Sequence, residues 1–247
     1  MTDRINILGV GVDRCTWSEL VGRVAELVTR PGLSTVAYAN IHVLNTAVAN
    51  AALRDFLNTA DVCYCDGAGV RLGARVLGED IRERMTGADW IYDLGREAHT
   101  RGWRLFWLGS EPGVTEAAAR VLMAQNPGLS IDCDHGYHDK TGGPNDTLIA
   151  HINTSRPDIV LVGMGTPVQE AWVAANRARI EAPVVWVLGA TADFVSGKVS
   201  RGPAVLYNHQ EWLARLLTEP RRLWKRYLIG NTVFLGRVAW QRISGSP

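Results

Sequence analysis

Three polar side chains stand where an α/β enzyme needs them. Asp66, in Cys65-Asp66-Gly67-Ala68-Gly69-Val70, follows an apolar β-rich run and opens a helical pattern. Ligand sites in open α/β sheets lie at the carboxyl ends of strands, and a carboxylate there can take a proton from a substrate hydroxyl. The same Asp can equally be the N-cap of the helix it precedes. Asn40 comes just after a second such run, which ends at Tyr38, with His42 and Asn45 behind it. It reads either as a helix cap or as a partner for a substrate hydroxyl. Arg84, in Arg82-Glu83-Arg84-Met85-Thr86-Gly87, is either a surface residue or an anion contact.

Two glycine-bearing turns add a second kind of chemistry. Gly163-Met164-Gly165-Thr166-Pro167-Val168-Gln169 and Gly189-Ala190-Thr191-Ala192-Asp193-Phe194-Val195-Ser196-Gly197 both follow apolar runs. Such turns present backbone N–H groups to a phosphate at a helix N-terminus. Pro167 suits a first helical turn, which places Gln169 beside a phosphate or sugar. The first turn is not a full dinucleotide fingerprint, because Val168 occupies its sixth position. A nicotinamide dehydrogenase also wants an acidic residue about 20 positions on, after the next strand; here that region is Glu181-Ala182-Pro183, before the strand, so that class is disfavoured. Asp132-Cys133-Asp134 has the Asp-x-Asp form that can hold a divalent ion at a diphosphate. With His135, His138 and Asp139 nearby, a metal there is open but not favoured over a solvated turn.

These residues need a scaffold, and the chain supplies its pattern. Short β-rich runs at Ser34–Tyr38, Asp61–Cys65, Trp103–Leu108, Leu129–Cys133, Asp158–Val162 and Val184–Leu188 alternate with helical periodicity near 43–58, 69–77, 88–101, 114–125, 145–155 and 168–180. That alternation predicts right-handed βαβ units and a mostly parallel, Rossmann-like sheet flanked by helices. Several strands are apolar throughout, as when both faces are covered. Ile5–Val12 reads as an edge strand or hairpin, followed by a helix near 17–29 that Pro31-Gly32 stops. Beyond the break at Arg201-Gly202-Pro203 the pattern is helical. Residues 1–200 are therefore expected to form the core, and 201–247 a helical C-terminal appendage that acts as a lid or a membrane foot.

The charge is uneven. The net charge of the 247 residues is +1, but residues 215–247 carry seven Lys/Arg against Glu219 alone, a net +6 that leaves −5 for the rest. A near-neutral total argues against a general nucleic-acid binder, and a basic tail argues for an anionic partner of its own. In Arg221–Leu228 the basic residues 221, 222, 225 and 226 oppose Leu223, Trp224, Tyr227 and Leu228 around a helix, which fits a solvated face or a membrane surface. Cys15, Cys63, Cys65 and Cys133 are too few and too scattered for a disulfide framework and read as reduced, buried or half-buried thiols. The opening Met-Thr-Asp-Arg-Ile-Asn is polar and lacks a signal-peptide pattern. No apolar stretch approaches the ~20 residues of a spanning helix. The expected location is the cytoplasm.

The ordered motifs resemble the WecG/TagA/CpsF glycosyltransferases of bacteria over nearly the full length. The residues that carry the resemblance are Asn40, Asp66-Gly67-Ala68-Gly69, Arg84 with Thr86-Gly87-Ala88-Asp89, Leu108-Gly109, His135-Gly136-Tyr137, Gly163–Gln169 with Glu170 and Trp172, Gly189-Ala190 through Asp193-Phe194, Gly197, Arg201, and the tail Glu211-Trp212-Leu213, Arg215-Leu216, Glu219-Pro220-Arg221-Arg222. The resemblance implies inverting, metal-independent transfer of N-acetylmannosamine or a related hexose from a UDP-sugar to a polyprenyl-diphosphate-linked saccharide. This is chemistry of teichoic-acid-type or other cell-surface polysaccharide synthesis, at the inner face of the cell membrane. No cofactor beyond the UDP-sugar substrate is implied, and an anionic membrane surface is the further partner. The oligomeric state, a homo-oligomer included, is left open.

By this resemblance Asp66 is the base, and Asn40 and Arg84 complete the catalytic set. The substrate-binding set is Tyr38, Gly67, Gly69, Gly163, Gly165, Gln169, Gly189, Asp193, Arg215, Arg221 and Arg222. The tail arginines are expected to close the site at the membrane. Three departures bear on donor and acceptor identity. Tyr38 stands where many members have Thr, Ala192 replaces the first Phe of Gly-Ala-x-Phe-Asp-Phe, and Gly202 interrupts Arg-Ala-Pro. The reading from another functional class is a non-catalytic nucleotide-sugar or lipid-diphosphate binding protein with the same fold.

Overall fold

The computed structural model describes residues 3–199, 224 and 228–245. Its centre is a sheet of eight strands: β1 (Arg4–Ile7), β2 (Val10–Asp13), β3 (Ser34–Ala39), β4 (Val62–Cys65), β5 (Arg104–Gly109), β6 (Ser130–Asp134), β7 (Ile159–Gly163) and β8 (Val184–Val187). The strand order is β1-β2-β4-β3-β8-β7-β5-β6. Only the β1–β2 pair is antiparallel; the other pairings are parallel. The edge segment is thus a hairpin, turned by Leu8 and Gly9, both at positive φ, as a two-residue hairpin turn requires. Every residue of β3, β4, β7 and β8 is buried, because helices cover both faces.

The helices are α1 (Trp17–Thr29), α2 (Ile41–Ala49), α3 (Ala51–Thr59), α4 (Ala68–Val76), α5 (Gly87–Arg101), α6 (Val114–Gln125), α7 (Gly142–Ser155), α8 (Val168–Asn176), α9 (Thr191–Val195) and, after the segment outside the described residues, α10 (Gly230–Ser244). Helix α1 opens with a reciprocal capping box: the Glu19 N–H donates to Thr16 Oγ1, and the Thr16 N–H donates to the Glu19 carboxylate. The periodicity over 43–58 suggested one helix, and the structure has two. Asn50 breaks it by taking a non-helical φ/ψ, and its side chain accepts the Leu53 N–H to cap α3. An Asn can do this because its side chain mimics the next turn of backbone. Helix α8 stops at Asn176, short of the 180 that periodicity suggested.

Asp13, beside the hairpin, is a fully buried acid, at 1% exposure. It is satisfied on both oxygens: Arg4 Nε at 3.1 Å, Arg23 Nη1 at 3.1 Å, and the Cys63 N–H at 2.7 Å. A buried charge is tolerated only when paired and hydrogen-bonded in this way. The arrangement fastens the hairpin to β4.

A column of aromatic rings crosses the core. Trp90 stacks on Trp186 with centroids 4.6 Å apart and on Trp17 at 5.4 Å. Tyr64 meets Trp90 and Trp186 edge-on at 6.1 Å each, and Tyr38 lies 6.4 Å beyond Tyr64. Both stacked and edge-on geometries add to the area these rings bury.

Helix α10 packs on α2 and α4. Phe234 and Val238 are fully buried, and the Phe234 ring fills the space over Gly73, where a Cβ would come within 2.6 Å of it. Polar contacts fasten the helix as well: Gln241 bonds both the Leu8 N–H and the Asn6 carbonyl, and Arg237 donates to Asn45 Oδ1. Among the described residues no helix is long and apolar enough to cross a membrane.

All four cysteines are free, and only Cys133 is not fully buried. Burial pushes the Cys15 and Cys133 thiols up to about 12 and raises Cys63 and Cys65 further. The thiolate is the reactive form, so at about pH 8 all four should stay protonated and inert. A disulfide-exchange reagent such as DTNB should titrate them only after denaturation; a fast-reacting thiol in the native protein would contradict this picture.

Candidate active site

The carboxyl ends of β3, β4, β7 and β8 open into one pocket of about 610 Å³, within the range of small-molecule sites. Asp66 and Asn40 meet on its wall. Asn40 is the N-cap of α2: its Oδ1 accepts the Val43 N–H at 3.0 Å, while its Nδ2 donates to Asp66 Oδ2 at 3.2 Å. The cap reading of Asn40 therefore holds, and the same side chain also orients the Asp66 carboxylate. The alternative for Asp66 resolves differently. The N-cap position of α4 belongs to Gly67, at φ +102°. Asp66 instead extends the end of β4, with its N–H on the Ala39 carbonyl at 2.8 Å, and its side chain lines the pocket.

Arg84 also lines the pocket and donates to Asp89, in the first turn of α5, at 3.2 Å. The pocket receives the first turns of α2 (Ile41, His42), α4 (Ala68, Gly69, Val70) and α5 (Gly87, Ala88). Three helix N-termini thus bring their partial positive charge to one volume. Gly69 lets α4 approach α2: a Cβ there would lie 2.3 Å from Ile41 Cδ1.

The glycine turns form the opposite wall. Gly165, at φ +81°, has open space around it and lines the pocket; only its backbone conformation restricts substitution. Gly189, at φ +63°, lies under Tyr38, whose hydroxyl would be 2.8 Å from an added Cβ. Gly163 sits at the end of β7, and a Cβ there would come 2.3 Å from the Gly189 carbonyl oxygen. Gln169 is fully buried and lies behind the turn. Its Oε1 accepts the Gly165 N–H at 3.2 Å and its Nε2 donates to Glu170 at 2.8 Å. Its place is support of the Gly165 turn. Asp193 is not among the pocket-lining residues and faces Lys198 Nζ at 3.6 Å. Arg215, Arg221 and Arg222 lie outside the described residues.

Thr166, inside the turn that the sequence singled out, lines the pocket, as do Asn231 and Leu235, which sequence reasoning left out. Nothing in the pattern of α10 marks Asn231 and Leu235, because they reach the site only through the docking of that helix.

Asp134, His135 and His138 bring metal-ligand atoms within 4.8 Å of one another. The Asp134 oxygens contact His138 Nε2 at 2.7 Å and His151 Nδ1 at 3.2 Å, and His135 Nδ1 accepts the Tyr137 N–H. Asp132 is exposed. This cluster sits at the end of β6, and none of its residues lines the Asp66 pocket.

The arrangement combines a carboxylate, an amide bonded to it, an arginine and three helix N-termini. The description "Glycosyl transferase WecG/TagA/CpsF family" matches residues 5–247. Proteins named N-acetylglucosaminyldiphosphoundecaprenol N-acetyl-beta-D-mannosaminyltransferase from Staphylococcus aureus strains NCTC 8325 / PS 47 and COL are each 28% identical over 241 residues, covering 96% of this chain and 93% of theirs. With that match spanning the whole sheet and the pocket at its carboxyl edge, the chain belongs to the WecG/TagA/CpsF family of glycosyltransferases.

Proposed function

We propose that this glycosyltransferase moves N-acetylmannosamine, or a closely related hexose, from a UDP-sugar to a polyprenyl-diphosphate-linked saccharide, with inversion and without a metal. The observation that carries this reading is Asp66, held by Asn40 at 3.2 Å in a pocket that receives three helix N-termini. Asp66 accepts the proton of the acceptor hydroxyl as that oxygen attacks the anomeric carbon. The bond from that carbon to the diphosphate breaks, and UDP leaves. Helix N–H groups and Arg84 stabilise the charge that develops on it. The names of the Staphylococcus aureus relatives support both the acceptor class and the sugar.

The lipid acceptor implies work at a membrane surface, which we place on the cytoplasmic side. Ile229, Val233, Trp240 and Ile243 of the last helical segment are exposed and recur at helical spacing along one side. Together with the basic residues of 215–226 they suit an anionic bilayer.

The direct test is UDP release from UDP-N-acetylmannosamine with a polyprenyl-diphosphate-GlcNAc analogue as acceptor, run in excess chelator. Acceptor-dependent UDP release that survives the chelator is expected. Tight UDP-sugar binding with no release in the presence of acceptor would favour the non-catalytic binding protein. In flotation assays, vesicles containing anionic lipid should carry the protein in a salt-sensitive manner. Equal recovery with neutral vesicles would argue against the membrane role of the basic tail.

A further inference from the structure

A second cavity, of about 900 Å³, lies between the turn of the β1–β2 hairpin, α2, α3 and α10, and shares no lining residue with the Asp66 pocket. Leu8, Val48, Val233 and Trp240 give it apolar walls, and Arg54 and Arg237 bring charge to it. No Asp or Glu lines it. Both arginines are half-buried. Arg54 lays its stem across the hairpin turn, where a Cβ on Gly9 would come 3.3 Å from its Cδ, and its Nη1 donates to the Ala47 carbonyl at 3.3 Å. Arg237 Nη1 donates to the Asn45 carbonyl at 3.3 Å and to Asn45 Oδ1 at 2.9 Å. All of these partners are neutral. Among the described residues the two guanidinium charges are therefore held in place but not compensated.

Two positive charges beside apolar walls, with no acid lining the space, select an anion that carries apolar substance with it. A guanidinium presents a planar fork of donors that matches phosphate oxygens. The walls suit the glycerol and upper acyl carbons of a lipid. The Trp240 ring is 68% exposed, and an indole settles at a bilayer interface, where its ring is apolar and its N–H wet. The position agrees. Ile229, Val233, Gly236, Trp240 and Ile243 recur at helical spacing along one side of α10, and the middle three of them line the cavity. It therefore opens on the side of α10 already assigned to the bilayer. A second copy of this chain fits less well, because a two-fold contact through this face would set the arginines of both copies against each other.

We propose that this cavity is a seat for one anionic phospholipid, with its phosphate on Arg54 and Arg237 and its glycerol and upper chain on Val48, Val233 and Trp240. The proposal rests on the bilayer reading of α10 and adds a defined site to it. The basic tail is drawn to negative surface at large, whereas the seat recognises a single headgroup.

Gly236 supplies the decisive variant. It lines the cavity, an added Cβ there would meet nothing within 4 Å, and its φ is not positive. Gly236→Leu therefore suits the helix while it fills the seat. The same change enlarges the apolar stripe, so a bilayer contact without a seat would be kept or strengthened. Full-length wild type, Gly236→Leu and Arg54→Gln are titrated calorimetrically with dihexanoylphosphatidylglycerol below its critical micelle concentration, with the phosphatidylcholine of the same chains, and with inorganic phosphate. Each protein is also floated with vesicles containing phosphatidylglycerol. Wild type should bind one phosphatidylglycerol per chain and the other two probes more weakly. Gly236→Leu should lose this binding. Arg54→Gln should weaken it roughly tenfold or more, as for loss of a charge-assisted hydrogen bond. UDP affinity should be the same in all three proteins.

The seat is overturned if folded Gly236→Leu binds the soluble lipid as tightly as wild type, if Arg54→Gln binds it unchanged, or if UDP affinity falls together with lipid affinity. Phosphatidylcholine or inorganic phosphate binding as well as phosphatidylglycerol would overturn it too. So would sedimentation showing a dimeric wild type that Gly236→Leu makes monomeric, which would give the face to a second copy. Arg54→Gln carries the test if Gly236→Leu does not fold. A wild type that floats with anionic vesicles yet binds no soluble lipid removes the seat and leaves the membrane role of the tail standing. One that does neither removes both readings.

Discussion

Asp66→Asn should lower turnover by roughly 10²–10⁴, the contribution of a positioned general base, while leaving the fold and UDP binding nearly intact. The isosteric amide can still meet Asn40 Nδ2, which donates to Asp66 Oδ2 at 3.2 Å, through its carbonyl oxygen. The N–H of residue 66 keeps its bond to the Ala39 carbonyl. What disappears is the ability to accept a proton. The loss should therefore fall on kcat and on kcat/KM together, as for an interaction made in the transition state. The measurement is steady-state UDP release, with UDP affinity determined separately. Turnover near wild type in a folded variant would remove Asp66 from the chemistry. Asn40→Ala should sit between the two, because it loosens the carboxylate without deleting it and also removes the cap of α2.

Gly163→Ala should be the most damaging small substitution near the site. The added methyl would lie 2.3 Å from the Gly189 carbonyl oxygen, and Gly109 faces the same problem, with its Cβ 2.4 Å from the Gly163 oxygen. Three neighbouring strand ends, β5, β7 and β8, thus approach so closely that only hydrogen fits between them. The obstructing atoms are backbone and cannot swing aside. Overpacking a tight site costs about 1–3 kcal/mol, and backbone displacement puts this case at or above the upper end. A urea titration measures it. Gly165→Ala is the informative contrast: it has open space but φ +81°, so only the left-handed penalty of about 1 kcal/mol applies. If Gly163→Ala proves as mild as Gly165→Ala, the strand ends can part cheaply and the close approach has no structural weight.

Much of the sheet was legible in the sequence because fully buried parallel strands write themselves as short, uninterrupted apolar runs. Each of the six strands expected between Ser34 and Leu188 lies within one residue of the observed bounds. Helix continuity was less legible. Asn50 sits inside a good helical period, and only its side-chain bond to the Leu53 N–H makes it a break. The position of Asp66 after a strand could be read directly, but its role relative to the cap could not. The neighbouring Gly67 takes the cap through its positive φ, a backbone property that composition does not reveal. Gln169 was expected beside the ligand from its place in the first turn of α8. Its burial behind Gly165 follows from a bond to the Gly165 N–H, which is a tertiary fact. The contribution of Asn231 and Leu235 was invisible because it depends on where α10 docks, far along the chain from the two helices, α2 and α4, that it packs against.

The aromatic column has an optical consequence. Trp17, Trp90 and Trp186 are held face to face, with Tyr64 wedged edge-on and Tyr38 at the pocket end. Fixed, asymmetric chromophores produce near-ultraviolet circular dichroism that vanishes when side chains lose their packing, even where helices and strands persist. The protein therefore carries an intrinsic spectroscopic probe that runs from its interior to the wall of its pocket. Ligand that touches Tyr38 should perturb the tyrosine part of that spectrum, while a bilayer gripping the distant, solvent-facing Trp240 should shift fluorescence instead. Substrate occupancy and membrane attachment can thus be followed in the same cuvette, on unlabelled protein, through two separate signals.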